Sequence, residues 1–170
     1  MKLAKSLERL GTESAFSILA EAKKLEAQGK EMIHLGLGQP DFKTPQHIMD
    51  AAKKAIDDGH HGYVLANGIL ECRQAVTRKI KKLYNKELSP ERVMIMPGGK
   101  PTMYYAIQMI GEPGAEIVHP TPGFPIYESM INYTGAKAVP YDLTKEKDLK
   151  FDPEKILSLI TDKTRLVVLI

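Results

Sequence analysis

The sequence predicts an α/β fold, three-layered and built on a mostly parallel sheet, and two observations carry that expectation. From Val93 onward, short apolar runs alternate with helical stretches one at a time, and strands separated by single helices pair in parallel. Leu166-Val167-Val168-Leu169-Ile170 is a continuous apolar run, which suits a strand buried on both faces of such a sheet.

The elements follow in order. Ala15, Phe16, Ile18, Leu19, Ala22 and Leu25 recur at helical spacing, so a helix is expected over Thr12–Gln28, stopped by Gly29. Met32–Leu35 reads as a short strand. Thr44 and Pro45 open a second helix: the hydroxyl can cap, and proline at the first helical position loses no hydrogen bond. Ile48, Ala51, Ala52, Ala55 and Ile56 form its expected buried stripe, and Gly59 ends it. A third helix spans Ile69–Tyr84. The regular region then reads strand Val93–Met96, helix Pro101–Ile110, strand Glu116–His119, helix Phe124–Tyr133 and strand Lys137–Tyr141. Helix Asp152–Ile160, with Asp152 as cap and Pro153 behind it, and strand Arg165–Ile170 complete the pattern. Lys145–Lys150 is a charged surface loop.

Composition narrows the function classes. The 170 residues are one domain's worth of chain or a piece of something larger. Apolar residues make up 43% and charged residues 26%, the balance of a soluble globular protein. The net charge of +3, without a long run of one sign, argues against nucleic acid as a partner. Lys79, Lys81 and Lys82 read as a solvated helix face. Cys72 is the single cysteine, which excludes an intrachain disulfide and a thiolate metal cluster; inside a helix it reads as a small buried residue. His60 and His61 are adjacent, point in different directions and make a poor metal pair. No apolar run approaches the ~18 residues of a membrane span, and acids occupy the place of a signal peptide's apolar stretch. A cytosolic location follows as an expectation. The terminal strand calls for a loop and a covering helix, so the chain reads as a fragment.

Four segments can carry chemistry. Gly36-Leu37-Gly38-Gln39-Pro40-Asp41-Phe42 begins like a dinucleotide fingerprint, but Asp41 stands where its third glycine belongs and Pro40 prevents a helix there. It is either a two-glycine turn or a place where Gly38 lets a ligand approach the backbone. Met96-Pro97-Gly98-Gly99-Lys100-Pro101-Thr102 joins a strand to a helix. Free N–H groups and a positive dipole end favour a phosphate there, with Lys100 adding charge, although glycine-rich turns also arise for steric reasons. It lacks P-loop spacing. In Pro120-Thr121-Pro122-Gly123-Phe124-Pro125-Ile126-Tyr127, a stiff loop sets Phe124 either over a flat ligand ring or inward to the core. Tyr63 lies in a loop, where its hydroxyl can reach a ligand or partner or can simply face solvent.

Taken together and in this order, these segments resemble the pyridoxal-phosphate-dependent aminotransferases of fold-type I, aspartate aminotransferase-like, class I/II. The matching residues are Gly-Leu-Gly-Gln-Pro-Asp-Phe at 36–42, Tyr63 with Gly68-x-x-Glu71-x-Arg73, Gly98-Gly99-Lys100, and Pro122-Gly123-Phe124-Pro125-x-Tyr127. The resemblance implies pyridoxal 5'-phosphate as cofactor, with Gly98, Gly99 and Lys100 at its phosphate and Phe124 stacked on its ring. It places Gly38 against the substrate carboxylate and Tyr63 at the cofactor phosphate of a second subunit, which makes the protein a homodimer. It also implies that residues 1–44 belong to a small domain and 45–170 to the first part of a large one. The family's Asn-Pro-x-x-Pro-x-Gly segment, ring-nitrogen aspartate, Schiff-base lysine and carboxylate-binding arginine match nothing in residues 1–170, so no catalytic residue is assigned. Lys100 matches the phosphate loop and not the Schiff-base lysine. The expected reaction moves an amino group between an L-amino acid and a 2-oxo acid in the whole enzyme, the fragment alone being inactive. The alternatives are another fold-type I enzyme such as a lyase, or a non-catalytic α/β binding module. A nicotinamide oxidoreductase is disfavoured by the missing fingerprint glycine.

Overall fold

A computed structural model of the chain describes residues 2–11, 14–36, 38–145 and 147–170. The expected helix start at Thr12, the side chains of Ala15 and Phe16, Leu37 of the first glycine segment and Glu146 of the charged loop lie outside the described residues. The chain divides into two compact units, one of Met1–Gly36 with Gly98–Ile170 and one of Leu37–Pro97.

The first unit holds helices α1 (Ser14–Ala27), α4 (Gly99–Ile110), α5 (Ile126–Thr134) and α6 (Pro153–Ser158) and strands β1 (Glu116–Thr121), β2 (Lys137–Asp142) and β3 (Thr164–Val167). The second holds α2 (Gln46–Asp57) and α3 (Leu70–Tyr84). The sheet has the order β2-β1-β3 and both pairings are parallel, as the alternation of strands and helices requires. β1 lies in the middle and is buried from Glu116 to Pro120. Ile117 meets Ile107 of α4 and Met130 and Ile131 of α5 in the core, closed by Ala115, Ala136 and Val168.

Local signals place several boundaries. The Gly29 N–H donates to the Glu26 carbonyl at 2.8 Å and ends α1, and the Gly59 N–H donates to that of Ile56 at 3.0 Å beyond α2. The Asp152 carboxylate accepts from the N–H of Glu154 at 3.0 Å and caps α6, with Pro153 in its first turn. The Asp152 N–H in turn donates to the hydroxyl of buried Tyr141 at 2.8 Å, fastening β2 to α6.

Six expectations are corrected here. Met32–Leu35 and Val93–Met96 form no strand: a strand needs a neighbour for its backbone groups, and 32–35 finds none among the described residues. Within 93–96, the Val93 N–H donates to the Pro90 carbonyl and the Ile95 N–H to that of Asn67, both at 3.1 Å, which are isolated bonds and not a ladder. The α2 stripe is not buried, since no element among the described residues covers it; Ile48 and Ile56 stand exposed. The cap position of α2 is Pro45 itself, with no side-chain cap bond. β3 stops at Val167 and is half-buried because it is a sheet edge; only the Val168 N–H continues the ladder, to Val118 O at 2.9 Å. Cys72 is half-buried, and the neighbouring Arg73 is the residue that goes inside, 2% exposed.

Arg73 organises the second unit. Its Nε donates to the Gly68 carbonyl at 3.2 Å, and its Nη1 donates to the Pro90 carbonyl at 3.0 Å and to Glu91 Oε1 at 3.1 Å. One side chain on α3 thus satisfies carbonyls from the loops on either side of the helix. Removing it strands the Gly68 carbonyl and takes a second donor from that of Pro90, which also accepts the Val93 N–H at 3.1 Å, whereas the exposed Glu91 contributes little. Arg73→Met is expected to lower stability by about 2–4 kcal/mol and Glu91→Gln by less than ~1 kcal/mol, measured by chemical denaturation.

At the start of β1, Glu116 Oε1 accepts from Lys137 Nζ and Oε2 from Thr161 Oγ1, both at 2.8 Å. The Lys137 bond first, and the Thr161 bond second, hold this carboxyl below the usual glutamate range. Its contribution is therefore present above the unfolded value of about 4.3 and lost as pH falls through the folded one. Melting curves from pH 7 to pH 3 are expected to show a shallower acid decline in Glu116→Gln than in the parent protein.

Candidate functional site

The candidate site grows from two strand-to-helix connections of the first unit. α4 begins at Gly99, two residues before the expected start at Pro101, so Gly99 and Lys100 stand in its first turn. Proline tolerates this because the first turn's N–H groups have no carbonyl one turn back, and its fixed φ is already helical. Gly98 occupies the cap position at φ +97°, a conformation that side-chain-bearing residues rarely adopt. No side chain caps α4. Gly98, Gly99 and Lys100 are all exposed, and the Thr102 hydroxyl reaches the Gly98 carbonyl at 3.5 Å.

The second connection leaves β1 at Thr121. The Thr121–Pro122 peptide is cis. A Cβ on Gly123 would lie 2.5 Å from the Pro120 carbonyl oxygen, so only glycine fits this turn. Phe124 follows and is 38% exposed, which places it outside the core. α5 begins at Ile126 and not at Phe124; Phe124 stays in the loop, its carbonyl accepting from the Tyr127 N–H at 3.2 Å. Lys100 Nζ lies 5.6 Å from the Phe124 ring centroid. The structure thus brings together Lys100 and Phe124, two residues expected at one site, through a cation–π contact.

Below the loop, His119 is 4% exposed and was not singled out from the sequence. Its Nδ1 meets the Pro120 carbonyl at 3.2 Å, and a carbonyl only accepts, so this nitrogen carries the proton in the neutral ring. Nε2 is then an acceptor, and it has no partner among the described residues. A cavity of about 220 Å3 lies against His119, Pro122, Phe124 and Glu128. Nothing short of the fold signals this histidine, because its neighbours in sequence read simply as strand.

Gly38 and Tyr63 belong to the second unit. Nothing lies within 4 Å of the space a Gly38 Cβ would fill, so packing does not demand glycine there. Tyr63 is fully exposed, on the rim of a cleft of about 660 Å3 lined also by Ala55, His60, Val64, Ile69 and Glu71. Among the described residues no cluster of histidine, cysteine or carboxylate side chains is placed to hold a metal.

The model of the aminotransferase class I and II family matches residues 30–170. The chain belongs to that family. The chain is 36% identical over 169 residues to an aspartate aminotransferase of Bacillus subtilis, covering 99% of itself and 43% of that protein. It is 32% identical over 167 residues to a (5-formylfuran-3-yl)methyl phosphate transaminase of Methanocaldococcus jannaschii, covering 98% and 43%. Its fold superposes on Thermus thermophilus aspartate aminotransferase with maleate at a TM-score of 0.89 and 30% identity, covering 99% and 44%. It therefore spans about two-fifths of the length of each relative.

The two glycine turns give a direct check on this geometry. Gly98→Ala and Gly123→Ala are each expected to cost about 1–3 kcal/mol, the first through backbone strain and the second through a clash with backbone. Gly99→Ala, whose Cβ would meet only Met103 Cε at 3.7 Å, is expected to be neutral in the same denaturation experiment.

Proposed function

We propose that the protein carrying this chain is a pyridoxal-phosphate-dependent aminotransferase that moves an amino group between an L-amino acid and a 2-oxo acid. The observation that carries the reading, beside the family, is the meeting of the α4 N-terminus with Phe124 through Lys100. The cofactor is a phosphate monoester on a flat heteroaromatic ring, and the residues present suit both halves. An anion is favoured by the dipole end of α4, by the unobstructed backbone at Gly98 and Gly99 and by the Lys100 charge. The ring is favoured by the half-exposed face of Phe124. When bound, pyridoxal phosphate supplies the electron sink that labilises bonds at the amino-acid α-carbon.

The share of this chain is binding and orientation. Gly98, Gly99 and Lys100 hold the phosphate, Phe124 fixes the plane of the ring, and Gly38 leaves room for the substrate carboxylate. Exposed Tyr63 is available to reach the phosphate of a second subunit, and the protein acts as a cytoplasmic homodimer with composite sites. In the whole enzyme residues 1–44 contribute to the smaller domain and 45–170 open the larger one. Lys100, committed to the phosphate end, is not the covalent anchor, and that lysine lies outside residues 1–170. The names of the relatives, which include transaminases acting on different carbonyl compounds, support the reaction class over a lyase.

The test uses the full-length protein with pyridoxal phosphate and pairs of amino and oxo acids. The expected result is a visible absorption band from lysine-bound cofactor and exchange of amino groups between the pair. Phe124→Ala is expected to weaken cofactor binding by about tenfold, equivalent to ~1.4 kcal/mol, by loss of the stacked face. A full-length protein without the band would sink the proposal.

A further inference from the structure

We infer that Arg9 and Ser129 are positioning residues that couple the N-terminal segment to the helix behind Phe124, an inference that rests on the aminotransferase reading above. Arg9 Nε donates to the Asn132 carbonyl at 2.8 Å and Nη2 donates to that of Tyr133 at 2.7 Å. These carbonyls belong to the last turn of α5, where the dipole favours a cation; that of Asn132 also accepts the Gly135 N–H at 3.1 Å, and Arg9 adds a second donor to it. The planar guanidinium serves both at once, which an ammonium does not.

Two residues on, the clasp is repeated in a different form. The Gly11 N–H donates to Ser129 Oγ at 2.9 Å, and the same hydroxyl donates to the Gly11 carbonyl at 3.3 Å. The Ser129 backbone faces the other way: its N–H donates to the Pro125 carbonyl at 3.2 Å, beside Phe124. Ser129 therefore holds the N-terminal segment with its side chain and the Phe124 loop with its backbone. The segment continues into α1, where Ile18 Cγ2 lies 3.8 Å from the position of a Gly36 Cβ. Gly36 is two residues before Gly38 in the chain. The N-terminal part of the chain thus meets α5 at Arg9 and Gly11 and meets Gly36 through α1, so a disturbance at Arg9 is inferred to reach both contacts.

The experiment compares full-length wild-type enzyme with Arg9→Met, Arg9→Lys and Ser129→Ala. In Arg9→Met the KM for the amino acid is expected to rise about five- to tenfold, with kcat and cofactor affinity within about twofold of wild type. Arg9→Lys is expected to recover part of the loss. Hydrogen exchange is expected to quicken together in residues 5–11 and 122–129, a readout that requires no activity. Should Arg9→Met fail to fold, Ser129→Ala carries the same readouts. Unchanged KM and exchange in a folded variant overturn the inference, and so does an equal loss of kcat and cofactor affinity, which marks a scaffold residue only. If the wild-type enzyme itself does not transaminate, the proposed function falls, while the exchange data still decide whether the two segments are coupled.

Discussion

The hydrogen bonding of β1 on both of its edges is the constraint from which the rest of the first unit follows. A backbone can be buried only if its N–H and C=O groups are paired, and β1 pairs with β2 on one side and β3 on the other. That pairing lets Glu116 through Pro120 sit inside, and it makes Ile117 the centre against which α4 and α5 pack. Because both ladders are parallel, the carboxyl ends of the strands lie on one edge, where ligands of open α/β sheets bind. The Pro122–Pro125 loop leaves β1 at that edge. Its shape is imposed by the buried strand behind it.

Arginine is used twice in the chain as a clamp on carbonyl groups rather than as an ion-pair partner. Arg73 gathers the carbonyls of Gly68 and Pro90, and Arg9 gathers those of Asn132 and Tyr133. In both places a turn or a helix end presents carbonyls with acceptor capacity left over, and a rigid fork of donors answers two at once. The carboxylate that touches Arg73 is the exposed Glu91, so the carbonyl bonds, not the charge pair, hold that unit.

Features encoded within a few residues were legible in the sequence. Gly29 and Gly59 end their helices, Asp152 with Pro153 starts one, and each signal acts through local hydrogen bonds. The glycines at 98–99 also spoke locally, as a helix terminus. What was not legible depends on partners elsewhere in the chain. Among the described residues Met32–Leu35 has strand composition but no neighbour to bond, and the α2 stripe has the right period but nothing to cover it. Arg73 enters the sequence reading only as part of a motif, because the carbonyls it serves lie on loops before and after its helix. For Phe124 the sequence leaves core and ligand both open, and the fold decides by setting the ring 38% exposed near Lys100.

The central position of β1 also bears on how the chain is assembled as it is made. β1 emerges first, and its partner β2 follows after a single helix, so a two-stranded ladder with α5 packed on it can form from a continuous stretch of chain. β3 comes two helices after β1 and must pair back across α5, β2 and α6 to reach the remaining edge. Until then β1 presents a row of unpaired amides and carbonyls beside apolar side chains, the kind of edge that recruits foreign strands. Synthesis from one end therefore imposes a waiting period on the most buried strand, and the rate at which residues up to Val168 leave the ribosome sets how long that edge stays open.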